Sequence, residues 1–307
     1  MQASQPVSTV SPAIAVRNPR SGKDDYEFTP PTDSELAARC QALRQEQMAW
    51  REAGLAARLA VMRRFADALE AQREPLVQAL SIDTGRVSVA AGEIVSAARN
   101  IRRWCERAPA IVTTVEFDSR IMPTLRVAHQ LVPYPLVGVI SPWNFPMALS
   151  LIDSVPALLA GCAVLVKPSE VTPRFAAPLR AIIHSVPELA RVFDIIVGGR
   201  ETGAALVANV DVVCFTGSVA PGRKVAVAAA SHFIPAFLEL GGKDPVVVLA
   251  SANLEQASDG ILRSSCLASG QACLAVERIY AHESIHDRLI ELLVEKSKRI
   301  RLNYPDI

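Results

Sequence analysis

Leu136-Val137-Gly138-Val139-Ile140 carries no polar side chain and runs into Ser141-Pro142-Trp143-Asn144-Phe145-Pro146. A run without alternation is what a strand buried on both faces requires. Residues 163–166, 192–197 and 212–215 are likewise nearly all apolar, and helix-like stretches at 147–160, 174–186 and 202–208 separate them. Strand and helix alternating in this way predict an α/β chain with a doubly wound parallel sheet. Ligands of such sheets bind outside the carboxyl ends of the strands.

Upstream of this core, residues 34–108 place Leu36, Leu43, Met48, Leu55, Phe65 and Leu69, then Ile94 and Ile101, at helical spacings among charged residues. These helices read as support for the sheet. Residues 111–117 and 125–132 read as two strands joined by a turn at 119–123. The stretch 145–166 is long enough to span a bilayer, but Pro156 and Gly161 interrupt it, so it reads as a buried helix feeding a buried strand. Residues 1–20 read as a mobile tail, with no basic, apolar-cored leader in the first sixteen.

Half of the 307 residues are hydrophobic, about a fifth are charged and the formal net charge is +1, which disfavours nucleic acid as a partner. The six cysteines form no Cys-x-x-Cys and no His/Cys cluster. A reduced, metal-free, cytoplasmic protein is expected.

The strand ends carry the candidate chemistry. Lys167-Pro168-Ser169-Glu170 follows the second strand, Gly198-Gly199 the third, and Thr216-Gly217-Ser218 the fourth. Gly217 and Ser218 can offer backbone N–H groups and a hydroxyl to a pyrophosphate at a helix N-terminus; the same pair can equally be an N-cap. Glu170 can accept hydrogen bonds from a ribose and repel a 2′-phosphate, which favours NAD over NADP. Asn144 either points its amide into the cleft or caps the following helix.

Downstream, Glu239-Leu240-Gly241-Gly242-Lys243 reads as a Gly-Gly turn between the strand-like stretches 233–238 and 245–249, with Glu239 at its mouth. Ser269-Gly270-Gln271-Ala272-Cys273 ends a helical stretch at Gly270, leaving Cys273 in a turn. A thiolate attacking a carbonyl and a carboxylate activating the water that releases the adduct would make a catalytic pair. Taken singly, each is more often a buried thiol or a solvated turn residue.

Taken in order, Pro142-Trp143-Asn144-Phe145-Pro146, Lys167-Pro-Ser-Glu170, Phe215-Thr-Gly-Ser218, Glu239-Leu-Gly-Gly-Lys243 and Gly270-Gln-Ala-Cys273 with Arg278 resemble the aldehyde dehydrogenase superfamily. The resemblance implies Cys273 as nucleophile, Glu239 as base and Asn144 as oxyanion donor. It also implies an NAD cleft lined by Ile140, Trp143, Lys167, Glu170, Gly199, Phe215, Gly217, Ser218, Leu240 and Gly241. Leu149, Ile152 and Leu267 would line the entrance for an apolar aldehyde.

By the same resemblance, residues 1–109 and 134–241 form a Rossmann-like cofactor domain, 110–133 an oligomerisation hairpin and 242–307 part of an α/β catalytic domain, in a homo-oligomer when complete. Two departures stand out: Asp153 occupies a position where many members have lysine, and the family's second glutamate has no counterpart. The expectation is NAD-dependent oxidation of an aldehyde to an acid, with the 307-residue chain alone weakly active and prone to associate. The alternatives are a coenzyme A-dependent acylating enzyme, which Glu239 disfavours, and an inactive nucleotide-binding chain.

Overall fold

The structure, a computed structural model, describes residues 11–301. It opens with an antiparallel pair, β1 (Ile14–Arg17) and β2 (Asp24–Phe28), followed by α1 (Asp33–Glu52), α2 (Gly54–Ala71), α3 (Arg73–Thr84) and α4 (Val87–Ile111). A capping box starts α1, with Thr32 and Glu35 exchanging side-chain-to-backbone bonds, and a left-handed Gly85 ends α3. A second antiparallel pair, β3 (Val115–Asp118) and β4 (Arg126–His129), is shorter than expected and exposes Val115 and Phe117.

The central elements are β5 (Leu136–Ile140), α5 (Pro146–Ala160), β6 (Ala163–Lys167), α6 (Ala176–His184), α7 (Pro187–Ala190), β7 (Phe193–Ile195), α8 (Arg200–Val207), β8 (Val212–Gly217), α9 (Val219–Ser231) and β9 (Ala236–Leu240). They build a five-stranded sheet of order β7-β6-β5-β8-β9, in which β5–β6, β6–β7 and β5–β8 are parallel. Every residue of β5, β6 and β7 is buried, which is why these runs are nearly all apolar; the buried Asp194 in β7 is paired with Arg39 and Arg180. The chain winds one way from β5 to β7 and then returns to the other side of β5. The switch point therefore lies between β5 and β8, where Ile140 is registered with both Phe215 and Lys167.

The last elements are β10 (Asp244–Val248), α10 (Leu254–Cys266), β11 (Val276–Ala281) and α11 (His286–Ser297), with β10 and β11 parallel. Val248, Ile261 and Leu289 form their core. The chain divides into two compact units: residues 1–216 with 220–238, and residues 217–219 with 239–307.

Three expectations are corrected. Part of the tail expected over residues 1–20 is β1, paired with β2 and anchored by Val16, which is 2% exposed; residues 1–10 lie outside the described residues. The apolar stretch 233–238 is shifted as a strand: Phe233 has φ +54° and is 98% exposed, and β9 begins at Ala236. Glu239 consequently sits inside β9, and the turn is confined to residues 241–243. The stretch 145–166 does resolve into α5, a left-handed Gly161 and β6. Among the described residues no helix is long and apolar enough to cross a membrane.

Candidate active site

Two separate groups of residues carry the candidate chemistry. In the first unit, Lys167 ends β6 and is 4% exposed; its Nζ is 3.0 Å from Glu170 Oε2. Burial lowers the Lys167 pKa, against the pull of Glu170 and Glu201. Burial would raise that of Glu170, but the charge and hydrogen bond of Lys167, with Arg200 adding to them, hold the carboxyl below its ordinary range. Gly199 is the N-cap of α8. Gly198 has no room for a side chain, since a Cβ there would lie 2.2 Å from Thr202 Oγ1.

Asn144 stands in the loop between β5 and α5, and three side chains from elsewhere hold that loop. The Arg86 guanidinium donates to the Asn144 carbonyl and stacks over the Phe145 ring at 5.4 Å. Thr172 Oγ1 donates to the Trp143 carbonyl at 3.3 Å. The N-cap of α5 is Phe145, one residue beyond the expected cap, and it offers no side-chain acceptor. Pro146 has no N–H, and Leu149 N–H already bonds the Phe145 carbonyl, so Met147 and Ala148 are left to be satisfied. The Glu93 carboxylate, reaching from α4, accepts from Ala148 at 3.0 Å and is also bonded by Met147.

Neither Arg86 nor Glu93 emerges from motif reading. Glu93 does leave a trace, as a carboxylate on the apolar stripe of Ala90, Ile94, Ala97 and Ile101.

In the second unit, the parallel register pairs Asp244 with Val276, so both β10 and β11 start at the same end. The loop after Glu239 and the turn containing Cys273 therefore meet there. Arg278 Nη2 donates to the Lys243 carbonyl at 3.0 Å, and Lys243 pairs with Glu277. Before the turn, Ala268, Ser269 and Gly270 have φ of +52°, +61° and +76°. Two non-glycine residues in this region mark stored strain, on the order of 1 kcal/mol or more each. Cys273 and Glu239 are both exposed, and no hydrogen bond joins them. Gly241 has open space where a Cβ would be, and Ser218 and Leu267 are exposed.

The remaining thiols are placed differently. Burial pushes Cys40 and Cys162 up to about 11, and burial with Asp153 nearby pushes Cys214 up to about 12.

A cavity of about 290 Å³ between α4 and α5 is lined by Leu149 and Ile152, and also by Arg99, Asn100 and Arg103. A larger hollow of about 890 Å³, between the β2–α1 segment and α6, touches none of the expected site residues. Volume alone does not locate the chemistry, because reacting groups and strand ends define it here.

The chain thus combines a doubly wound parallel sheet, with its switch point at Ile140 and Phe215, and a later turn presenting a thiol, an α/β class of protein. The model of the aldehyde dehydrogenase family matches residues 7–306, and the chain belongs to that family.

A solved structure named for aldehyde dehydrogenase PutA from Anabaena variabilis is 51% identical, with a TM-score of 0.93 over 96% of this chain and 63% of the other. A protein of Mycolicibacterium smegmatis, provisionally named a succinate-semialdehyde dehydrogenase [NADP(+)], is 34% identical over 88% of this chain and 53% of its own length. The NAD-dependent benzaldehyde dehydrogenase of Corynebacterium glutamicum is 30% identical, with a TM-score of 0.89 over 97% of this chain and 66% of its own. The chain thus spans a little over half to two thirds of the length of these relatives.

The Glu93 contact carries a testable sign. Burial, outweighing the N–H groups and Arg86, pushes this carboxyl from 4.5 up to about 7. The folded chain therefore binds the proton more tightly than the unfolded chain, and stability falls as pH rises between those values. Against Glu93→Gln, which cannot ionise, the parent should lose about 3 kcal/mol from pH 4.5 to pH 7.5. Denaturant titrations of both proteins across that range measure it, and a pH-independent difference would show that the carboxyl keeps its ordinary acidity.

Proposed function

We propose that this chain oxidises an aldehyde to a carboxylic acid with hydride transfer to NAD, through a covalent adduct on Cys273. The observation that best supports the reading is the β10–β11 register, which sets the Cys273 turn and the loop after Glu239 at one end of the strand pair. In this reading the Cys273 thiolate adds to the aldehyde carbon, and the side-chain amide of Asn144 donates to the oxyanion. A preorganised donor of this kind is worth about 3 kcal/mol at the transition state. NAD supplies the hydride acceptor, and the loss of hydride leaves a thioester on Cys273. Glu239 takes a proton from water, the hydroxide attacks the thioester carbonyl, and the acid leaves as the thiolate is regenerated.

The cofactor would lie across the strand ends, with Ile140, Trp143, Gly199, Phe215, Leu240 and Gly241 against its body and Gly217 and Ser218 at its phosphates. Lys167 and Glu170 would meet the adenosine ribose. The pair of buried Lys167 and half-buried Glu170 fits such a role, since it offers a donor and an acceptor side by side at a strand end. We read the preference as NAD over NADP because the Glu170 carboxylate would face a 2′-phosphate. The relative from Mycolicibacterium smegmatis is named for NADP(+), so the two cofactors are the ones to compare. Residues 110–133 would serve as an oligomerisation arm, a role that the exposed Ile121 and Met122 favour.

Cys273→Ala should abolish NADH formation, a loss on the order of 10³-fold or more, while NAD still titrates the protein normally. Glu239→Gln should give a single burst of NADH and then stall with the thioester in place, visible as an added acyl mass on Cys273. Unchanged steady-state turnover in either variant would remove that residue from the mechanism. For the cofactor, titration should show tighter binding of NAD than of NADP, with Glu170→Gln narrowing the gap; equal affinities in the parent would refute the ribose reading.

A further inference from the structure

The short connection from α3 to α4 holds both loops that carry candidate chemistry at the sheet. Arg86 donates to the Asn144 carbonyl in the loop after β5. Three positions earlier, in the last turn of α3, Asp83 holds the loop after β6: its Oδ2 accepts from the Arg174 backbone N–H at 2.9 Å, and its Oδ1 accepts from the Arg174 guanidinium. Thr172 ties the two loops to each other through its bond to the Trp143 carbonyl.

The other branch of the Arg174 guanidinium donates to Asp25 in β2, and the group lies over the Tyr26 ring with 4.9 Å to the centroid. Asp25 in turn accepts from Asn18 at 2.8 Å, in the turn between β1 and β2. The Arg174 side chain is 10% exposed and that of Asp83 1%. A cation four residues beyond Glu170 could in principle receive a 2′-phosphate. Here two carboxylates on two different elements and an aromatic face already occupy it, and a planar guanidinium can fork between such acceptors where an ammonium cannot. The polar work of Arg174 is therefore directed at its own loop. Hydrogen bonds persist only over about half an ångström in length, so a drift of about 1 Å in that loop would forfeit a bond from Glu170 to a ligand.

We propose that Arg174 is the positioning residue for cofactor discrimination: pinned to Asp83 and Asp25, it fixes the backbone that presents Glu170 to the adenosine ribose. This rests on the reading of Glu170 as the ribose acceptor, and deepens it by naming what holds that carboxylate where a 2′-hydroxyl is bonded and a 2′-phosphate is repelled.

The test is binding, with NAD and NADP titrated by calorimetry into the 307-residue chain. The variants are Arg174→Met, Arg174→Lys, Asp25→Asn, Glu170→Gln and the double variant Glu170→Gln with Arg174→Lys, each checked for folding by circular dichroism. Arg174→Met strands a buried Asp83 and can unfold the chain, in which case Arg174→Lys, which keeps the charge balanced, and Asp25→Asn, which removes the more exposed anchor, carry the test. NAD should weaken by about tenfold in Arg174→Met and by about threefold in Arg174→Lys and Asp25→Asn, while NADP holds or tightens, so that the preference for NAD narrows. In the Glu170→Gln background Arg174→Lys should narrow it no further, because both changes remove the same contact.

An equal loss of both dinucleotides would show that Arg174 serves only the fold, and a loss confined to NADP would make it a phosphate ligand; either overturns the proposal. So would a preference unchanged in Arg174→Lys and Asp25→Asn while Glu170→Gln narrows it, or an additive effect in the double variant. If Glu170→Gln leaves the preference unchanged, or the parent binds neither dinucleotide, the ribose reading itself fails and the proposal falls with it.

Discussion

Helix α5 cannot satisfy its own ends, and much of the first unit is arranged to satisfy them for it. Its N-terminus begins Phe145-Pro146 with no side-chain cap, and its last residues lead into a left-handed Gly161. Glu93 from α4 takes the first free N–H groups. At the other end Trp50 Nε1, Gln47 Nε2 and Arg58 Nε donate to the carbonyls of Leu158, Gly161 and Leu159 at 2.8, 2.7 and 3.0 Å. All four of these side chains are at least nine-tenths buried, so losing one partner leaves a buried polar group unpaired, at about 1–3 kcal/mol each. The N-terminal helices are thus more than a cover, because they fix the helix that carries Leu149 and Ile152 and whose entry loop carries Asn144.

This arrangement explains what the sequence could and could not disclose. Strands β5 and β6 are buried throughout and β8 mostly so, and all three are uninterrupted, so their texture alone placed them to within a residue or two. The helices between them were read as the stretches separating those strands, with Gly161 breaking the first from the strand that follows it. The position of β9 was misread because Phe233 looks like the start of an apolar strand, whereas its left-handed backbone and full exposure put it in a turn. The β1–β2 pair was missed because Asp24-Asp25-Tyr26-Glu27 is nearly all exposed and only Phe28 is buried, leaving little apolar signal.

The candidate site was legible unevenly for a related reason. Cys273 and Glu239 lie in short motifs with glycine neighbours, and such motifs survive as local text. Arg86 and Glu93 act over distances of fifty residues or more in the chain, through a carbonyl and two N–H groups that every sequence possesses. Nothing in the receiving residues announces such a partner. The pairing of Lys167 with Glu170 was visible as a spacing, but its burial, and hence its altered acidity, depends on the sheet around it.

The placing of the thiols also decides how the chain meets a thiol reagent. Cys40, Cys105, Cys162 and Cys214 lie in the first unit, and burial holds all four as neutral sulfhydryls at ordinary pH. Cys266 and Cys273 are the two exposed ones, and both belong to the second unit. A thiol-specific alkylating agent therefore meets a protein whose accessible thiols are concentrated at α10 and the turn after it, while the thiols of the first unit stay silent. Inactivation of such a chain by alkylation would be a local event, leaving the scaffold intact around a spent sulfur.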